Sequence, residues 1–419
     1  MIKNTNTMKP LTLSAIGCGH RTRTYVGLAT RSPEKYEVLA GADPVADRLE
    51  MVRLASRNPK FQSFHDADAI LKAPQLADIM IIGTQDRDHC AQAIAAMRKG
   101  YHLLLEKPIA TTLEDVLEVQ SEAERLGRRV LVCHVLRYTP FYRKIKEIVA
   151  SGLLGDILSV NATEGVGAWH QTHSYVRGHW SVTGSSSPMI LAKSCHDLDI
   201  IRWIVDKPCT SVASAGTLKH FKRNSMPAGA PERCMDGCPV EDSCHYHAAH
   251  YLDTQKGWLA NICDLDIETT PREQVRQWVH ESPWGRCVYQ CDNDAVDHQS
   301  VLLDFEDGVT GTFTMTAFEQ GRHIELFGTQ ARLRAGGYIK EACGSDILVR
   351  FHDGRPDQVY DPKPLHGGYE GHGGGDSGLI NALYEEMSKP SSDQMTSSLD
   401  VSVESHRMAF AAEKARLEH

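Results

Sequence analysis

Through the first third of the chain, short apolar runs alternate with stretches whose apolar positions recur at helical spacing. The runs around Ala15–Ile16, then VLAGADP, ADIMIIGT, YHLLLEKP and RRVLVCHV, read as strands bounded by turn residues. Between them TYVGLAT, DRLEMVRLAS, a short segment ending near Lys72, HCAQAIAAMRKG and LEDVLEVQSEAERLG read as helices, with Gly100 closing one as a C-cap. Such alternation predicts an α/β doubly wound sheet of about six parallel strands, with ligand groups at the strands' C-terminal ends.

Beyond Arg137 the texture changes. TPFYRKIKEIVASG predicts a helix ending at Gly152, and DILSVNATEG a strand leading into a His/Trp/Gly-rich loop, AWHQTHSYVRGHW. HDLDIIRWI predicts a further helix. VLLDFEDGVTGTFTMTAF reads as a β-hairpin turning at Asp307–Gly308, and HIELFGTQARLRAG as another turning near Gly328. The pattern predicts two domains: residues 1–136, and an α+β domain over 137–419 with a large open, mostly antiparallel sheet and a Cys-rich insertion around 225–295. Helices close the chain at SGLINALYEEMS and VESHRMAFAAEKARLEH, while the Gly/His stretch 366–378 reads as a loop.

The turn after the first strand carries candidate chemistry. Gly17 permits a tight strand-to-helix turn, and Gly19 lets backbone N–H groups approach a pyrophosphate at the helix's positive end. Asp43 ends the second strand, where a carboxylate takes ribose hydroxyls and repels a 2′-phosphate. Thr22 fills the third glycine position, so the motif is GxGxxT. His20 and Arg21 open the helix after the turn. Thr84, Glu106, Lys107 and His134 stand at later strand ends, with His89 just after Thr84, and all join the candidate cofactor-binding set.

Composition narrows the class. A chain of 419 residues, 41% hydrophobic and 24% charged, suits an ordinary globular enzyme. Its net charge of −9 and the lack of a Lys/Arg run argue against nucleic acid or an anionic membrane as partner. The first ten residues hold no signal-peptide core, and nowhere do ~18 apolar residues run together, so a cytoplasmic location is expected. The 12 cysteines then read as thiols or metal ligands instead of disulfides.

Gly17-Cys18-Gly19, Asp43, the Glu106-Lys107-Pro108 tripeptide, Arg137-Tyr138 and the segment Cys195–Asp199 resemble the Gfo/Idh/MocA oxidoreductases, the glucose–fructose oxidoreductase and inositol dehydrogenase superfamily. The resemblance implies a Rossmann domain with a mixed-sheet domain and a tightly held NAD(P). It also implies chemistry on carbohydrate hydroxyls, and homodimers or homotetramers built through the open face of the second sheet.

Hydride transfer from an alcohol needs a proton carrier beside the hydroxyl. Lys107 at a strand end is the first candidate and His196 the second. The family places an Asp four residues before that histidine, where this chain has Ala192. Lys193, three residues before His196, is therefore a third candidate: its charge would favour a neutral imidazole, or the lysine itself would act as base. Ser194 and Asp197 fit a capping box. Arg137, Tyr138, Trp169, His170 and His173 are candidate substrate-binding residues, the last three on the His-rich loop together with His179.

Cys234, Cys238 and Cys244 form a knuckle-like group, with Cys291 or Cys287 as fourth thiolate. Zinc, an iron–sulfur cluster and reduced thiols are all open readings. Three functions are carried forward: an NAD-dependent dehydrogenase of a sugar, polyol or glycoside; a glycosidase with retained NAD that oxidises, eliminates and re-reduces; and a non-catalytic NAD-dependent sensor. NAD is expected over NADP, with Arg48 the residue that would favour NADP.

Overall fold

The computed structural model describes residues 9–263, 265–337, 346–362, 371–388 and 395–418. The chain divides into two compact units, one of residues 1–146 with 362–407, the other of 147–361 with 408–419. This differs from a single cut after residue 136, because the chain returns to complete the first unit near its end.

The first unit follows the predicted alternation: β1 (Leu11–Ile16), α1 (His20–Ala29), β2 (Tyr36–Ala42), α2 (Ala46–Ser56), β3 (Gln62–Phe64), α3 (Ala67–Lys72), β4 (Ile79–Ile82), α4 (His89–Arg98), β5 (His102–Leu105), α5 (Leu113–Leu126), β6 (Val130–Val132) and the start of α6 (Pro140–Ala150). The six strands pair in parallel in the order β3-β2-β1-β4-β5-β6. All four residues of β4 are buried, as a strand covered on both faces requires. Thr112 caps α5 by accepting the Asp115 N–H, and Gly127 ends it in the left-handed conformation.

The returning segment packs on this sheet. Leu379, Ile380, Leu383 and Tyr384 of the helix Gly371–Ser388 share one apolar core with Leu13, Ile81, Leu104 and Leu131. The Ser397 carbonyl accepts the Val132 N–H at 2.9 Å. Of the stretch 366–378, residues 366–370 lie outside the described residues. In the remainder, His372, Gly373 and Gly374 take positive, non-helical φ and kink the stretch Gly371–Ser388, so the expected irregular backbone is found there and regular helix follows the kink.

The second unit is built on eight strands, β7 (Ile157–Val166), β8 (Cys209–Thr217), β9 (His298–Phe305), β10 (Thr310–Thr316), β11 (Gln320–Gly328), β12 (Ala331–Gly336), β13 (Ile347–Phe351) and β14 (Gln358–Tyr360). Their order is β14-β13-β12-β11-β7-β10-β9-β8, antiparallel except between β7 and β10. Both predicted hairpins form, and Asp307 and Gly308 take positive φ at the first turn. Strands β9 and β10 alternate buried and outward residues, leaving Leu302 exposed.

The expected loop over 168–176 is helical instead: a turn at Ala168–His170 continues as a π-helix over Gln171–Val176, all six residues buried. Aromatic packing drives this. Trp169 lies edge-on to Tyr251 at 4.9 Å, and His170 and His173 both lie 4.9 Å from Trp258. These partners belong to the insertion, which supplies the core a sequence pattern could not show. Among the described residues, no helix is long and apolar enough to cross a membrane.

Candidate functional site

The glycine turn sits where the sheet order reverses, between β1 and its two neighbours β2 and β4. Gly17 has φ +81°, and a Cβ there would meet the Gly83 carbonyl carbon and oxygen at 2.7 Å. Thr22 takes the third glycine position by turning its hydroxyl onto the Gly17 carbonyl at 2.5 Å. Its neighbour must then be Gly83, where a Cβ would come 2.4 Å from that hydroxyl. Gly19 caps α1 with no atom within 4 Å of where its Cβ would stand, so the helix's free N–H groups face open space. His20 is exposed at this end.

Asp43 closes the turn from the side. Its Oδ2 accepts the Cys18 N–H at 2.7 Å and its Oδ1 the Val45 N–H at 2.8 Å. Burial, with the Asp43 charge beside it, pushes the Cys18 thiol up to about 12, so this cysteine is inert filler in the loop. The free helix end, the open space over Gly19 and a carboxylate at the end of β2 fit a dinucleotide.

Arg21, one of the expected cofactor contacts, serves the site from behind. Its Nε donates to Glu106 at 3.0 Å, its Nη1 to Asp376 at 3.0 Å, and its Nη2 to Asp376 at 2.5 Å and to the Tyr25 hydroxyl at 2.6 Å. Tyr25 in turn donates to Glu106 at 2.6 Å. Burial pushes the Glu106 carboxyl up, but the Arg21 and Lys107 charges outweigh it and hold the group below its ordinary value. Asp376 is held far down as well: burial opposes ionisation, and the hydrogen bonds from His372 and Arg21 overcome it.

Glu106 passes this order on to Lys107, whose N–H it accepts at 3.1 Å, just before the cis Lys107–Pro108 peptide. His89 braces the same loop, its Nδ1 2.7 Å from the Pro108 carbonyl and its Nε2 3.3 Å from that of Thr84. The Thr84 hydroxyl bonds Gln92. His134 is buried edge-on to His406, whose Nε2 accepts the Ile109 N–H at 3.0 Å. Arg137 and Tyr138, read from sequence as substrate contacts, are buried in the first unit. Arg137 donates to the Thr396 carbonyl at 2.8 Å, and the Tyr138 hydroxyl reaches Ser397 at 2.9 Å and Glu386 at 3.2 Å.

The second unit holds Lys193, His196, Trp169, His170 and His173. Lys193 pairs with Glu164 of β7 at 3.2 Å. Arg322 of β11 stands directly across from Glu164 in the antiparallel register and bonds both it and Asp197, the latter at 2.7 Å. Burial pushes Glu164 up, yet Arg322 and Lys193 bring it far below the ordinary carboxylate value. Asp197 goes the other way: burial, with Glu164 beside it, raises it well above despite Arg322. The expected capping box is overturned, since Ser194 makes no side-chain cap on the helix Cys195–Val205 and Asp197 turns to Arg322 instead. His196 is buried in the first turn of that helix.

His173 accepts or donates to the Tyr251 hydroxyl at 2.7 Å, and burial with Arg177 and His179 nearby lowers it to about 4. Sequence reasoning missed Tyr25, Asp376, Glu164 and Arg322. A lone acid in the strand NATEGV was the signal for Glu164; only the register could supply Arg322.

Comparison with known proteins agrees with this geometry. A model of the oxidoreductase family with the NAD-binding Rossmann fold matches residues 12–134, and one of the GFO/IDH/MocA C-terminal domain matches 142–334. The protein YteT of Bacillus subtilis (strain 168) is 26% identical over 322 residues, covering 73% of this chain and 72% of YteT. Inositol 2-dehydrogenase 3 of Saccharopolyspora erythraea is 27% identical over 51% of this chain, and the match spans 60% of that enzyme's length. The structure of an NAD binding oxidoreductase from Klebsiella pneumoniae superposes with TM-score 0.71 at 16% identity, covering 98% of this chain and 97% of that one. With both family models matched over more than half its length, and with the glycine turn, Asp43 and the Glu106–Pro108 seat in place, the chain belongs to the Gfo/Idh/MocA family of NAD-binding oxidoreductases.

Proposed function

We propose that this oxidoreductase moves hydride between NAD and a secondary hydroxyl of a sugar, polyol or glycoside, with Lys107 handling the hydroxyl proton. The observation that carries the reading is the seat of Lys107. Its main chain is fixed by Glu106, and Glu106 is kept ionised by Arg21, Tyr25 and the lysine's own charge. A lysine held at the ligand edge of a Rossmann sheet can hydrogen-bond a substrate oxygen, taking its proton as the neutral amine when the hydroxyl is oxidised and returning it as the ammonium in the reverse direction. Bound nicotinamide supplies the hydride acceptor or donor.

Gly17, Gly19, His20 and Asp43 would hold the dinucleotide, and Asp43 favours NAD over NADP. Arg21, Glu106 and His89 act from behind by ordering the loops. In the second unit, the ion pair with Glu164 holds the Lys193 side chain in place. That suits it to orient polar substrate groups. The names of inositol dehydrogenase relatives support a polyhydroxylated substrate. The outward face of β9 and β10, carrying Leu302, supports association between copies of the chain through this sheet.

The test is mass spectrometry of the denatured protein for retained cofactor, with a panel of sugars, polyols and aryl glycosides followed for NADH and for released aglycone. Net NADH with any polyol or sugar supports the reading. Aglycone release without net NADH replaces it with the oxidation–elimination route, and neither signal across the panel rejects it.

A further inference from the structure

Cys234, Cys238, Cys244 and Cys287 line one small cavity in the second unit, of about 10 Å³, which is room for a single water-sized occupant. Two chain segments bring them there. An antiparallel bridge between Arg233 and Arg286 clips the segments together, with the Cys234 N–H on the Gly285 carbonyl at 2.9 Å and the Cys287 N–H on the Glu232 carbonyl at 2.8 Å. Gly237, at φ +79°, turns the chain between Cys234 and Cys238. All four cysteines are free thiols.

His247 also lines the cavity, but its ring is already used. Its Nε2 donates to the Cys234 carbonyl at 2.7 Å and its Nδ1 accepts the Ala249 N–H at 3.3 Å, so the donor set is sulfur alone. Cys291 does not line the cavity; its thiol lies against the Cys287 carbonyl at 3.4 Å.

A second observation points to negative charge on these sulfurs. Arg177 is buried, with Nη2 3.5 Å from Cys234 Sγ, and it also bonds the carbonyls of Tyr246 and Arg286 and the Tyr251 side chain. Among the described residues no carboxylate pairs with it. A buried guanidinium requires a counter-charge, and the sulfurs are the groups at hand. Four thiolates around a divalent ion carry a net charge of −2, which Arg177 would offset in part.

We propose that Cys234, Cys238, Cys244 and Cys287 bind one structural zinc ion that clips the insertion together. No three of these sulfurs now stand within 4.8 Å of one another, whereas the edge of a zinc–thiolate tetrahedron is about 3.8 Å. Binding would therefore draw Cys238 and Cys244 inward on their turns. This assignment stands whether or not the hydride-transfer reading holds.

Elemental analysis of the purified full chain should find about one zinc per chain. Protein made in cobalt-supplemented medium should show a thiolate-to-cobalt charge-transfer band and the intense visible bands of a tetrahedral site. Cys287→Ser should reduce the metal to below about a tenth of an equivalent, and Cys291→Ser should leave it unchanged. If Cys287→Ser is insoluble, the cobalt spectrum and thiol titration of the native wild-type protein decide, with four thiols protected until the metal is removed. Metal below a tenth of an equivalent with these four thiols reactive in the native protein, equal loss in Cys291→Ser, or iron with labile sulfide would each overturn the proposal.

Discussion

Asp376 grips Arg21 through both guanidinium ends, at 3.0 Å and 2.5 Å, across 355 residues of chain. The pair anchors the Arg21 that orders Glu106, and through it the backbone of Lys107. Asp376→Ala should lower turnover about ten- to a hundredfold, as loss of a positioning group does. NAD affinity should change by less than about threefold. Stability should fall by about 2–3 kcal/mol, below the ~3–5 kcal/mol for a charge that loses its sole buried partner, because Arg21 loses one counter-charge and keeps Glu106. Since Asp376 and Glu106 ionise more readily folded than unfolded, the network's contribution is complete above about pH 5 and is lost as pH falls through the carboxylate range. Thermal melts against pH should therefore be flatter on the acid side in the variant. A variant with wild-type turnover would remove the positioning role.

Lys107→Ala should cost about three orders of magnitude or more in turnover with NAD binding nearly intact, because its work is confined to the reacting hydroxyl. Isothermal titration beside steady-state kinetics checks both halves. Retention of most activity would place the proton carrier elsewhere.

Asp43 should make NAD bind at least about tenfold tighter than NADP, since a 2′-phosphate would meet its carboxylate. Asp43→Asn should narrow that gap, chiefly by weakening NAD. Fluorescence titration of both cofactors is the measurement, and equal affinities in the wild-type protein would refute the assignment.

Glu164 and Asp197 share Arg322 but are pushed in opposite directions, Glu164 down by Arg322 and Lys193 and Asp197 up by burial, so their amides should differ in effect. Asp197→Asn copies a group already driven toward its protonated form, and should change stability by less than about 1 kcal/mol. Glu164→Gln strips Lys193 and Arg322 of their buried counter-charge and should cost about 3–5 kcal/mol. Denaturant titration of both variants separates them, and equal losses would contradict the charge assignment.

His173 is neutral in the fold, with its proton affinity lowered to about 4 from an ordinary 6.5. The unfolded chain then binds the extra proton between those values, so stability falls as pH drops from 6.5 toward 4. The full loss from this one group is about 3 kcal/mol. His173→Gln, which can keep the bond to Tyr251, should show a shallower decline over that window in pH-dependent melts.

Where local pattern decides, the chain was legible. The six parallel strands, Gly17, Asp43 and both hairpins follow from period, turn residues and order, and each stands where those rules put it. What escaped depends on distant partners. Trp169, His170 and His173 look like loop residues until Tyr251, Trp258 and Trp284 of the insertion close over them. Asp197 has the spacing of a capping residue, but an arginine 125 residues away competes for it and wins. Arg137 and Tyr138 sit at a strand end as ligands do, yet the carbonyl of Thr396 and the side chain of Ser397 claim them.

The return of residues 362–407 to the first unit has a consequence for synthesis. A ribosome that has released every Rossmann strand has not yet made Asp376, Ser397 or His406. At translation speeds of about 5–20 residues per second, the nascent sheet waits tens of seconds for them. During that interval Arg21 lacks its carboxylate clamp and β6 lacks the Ser397 carbonyl. The nucleotide-binding unit is thus begun first yet completed only after residues 147–361 of the second unit have been made, and ribosome-stalled chains ending before residue 376 should be protease-sensitive in this unit.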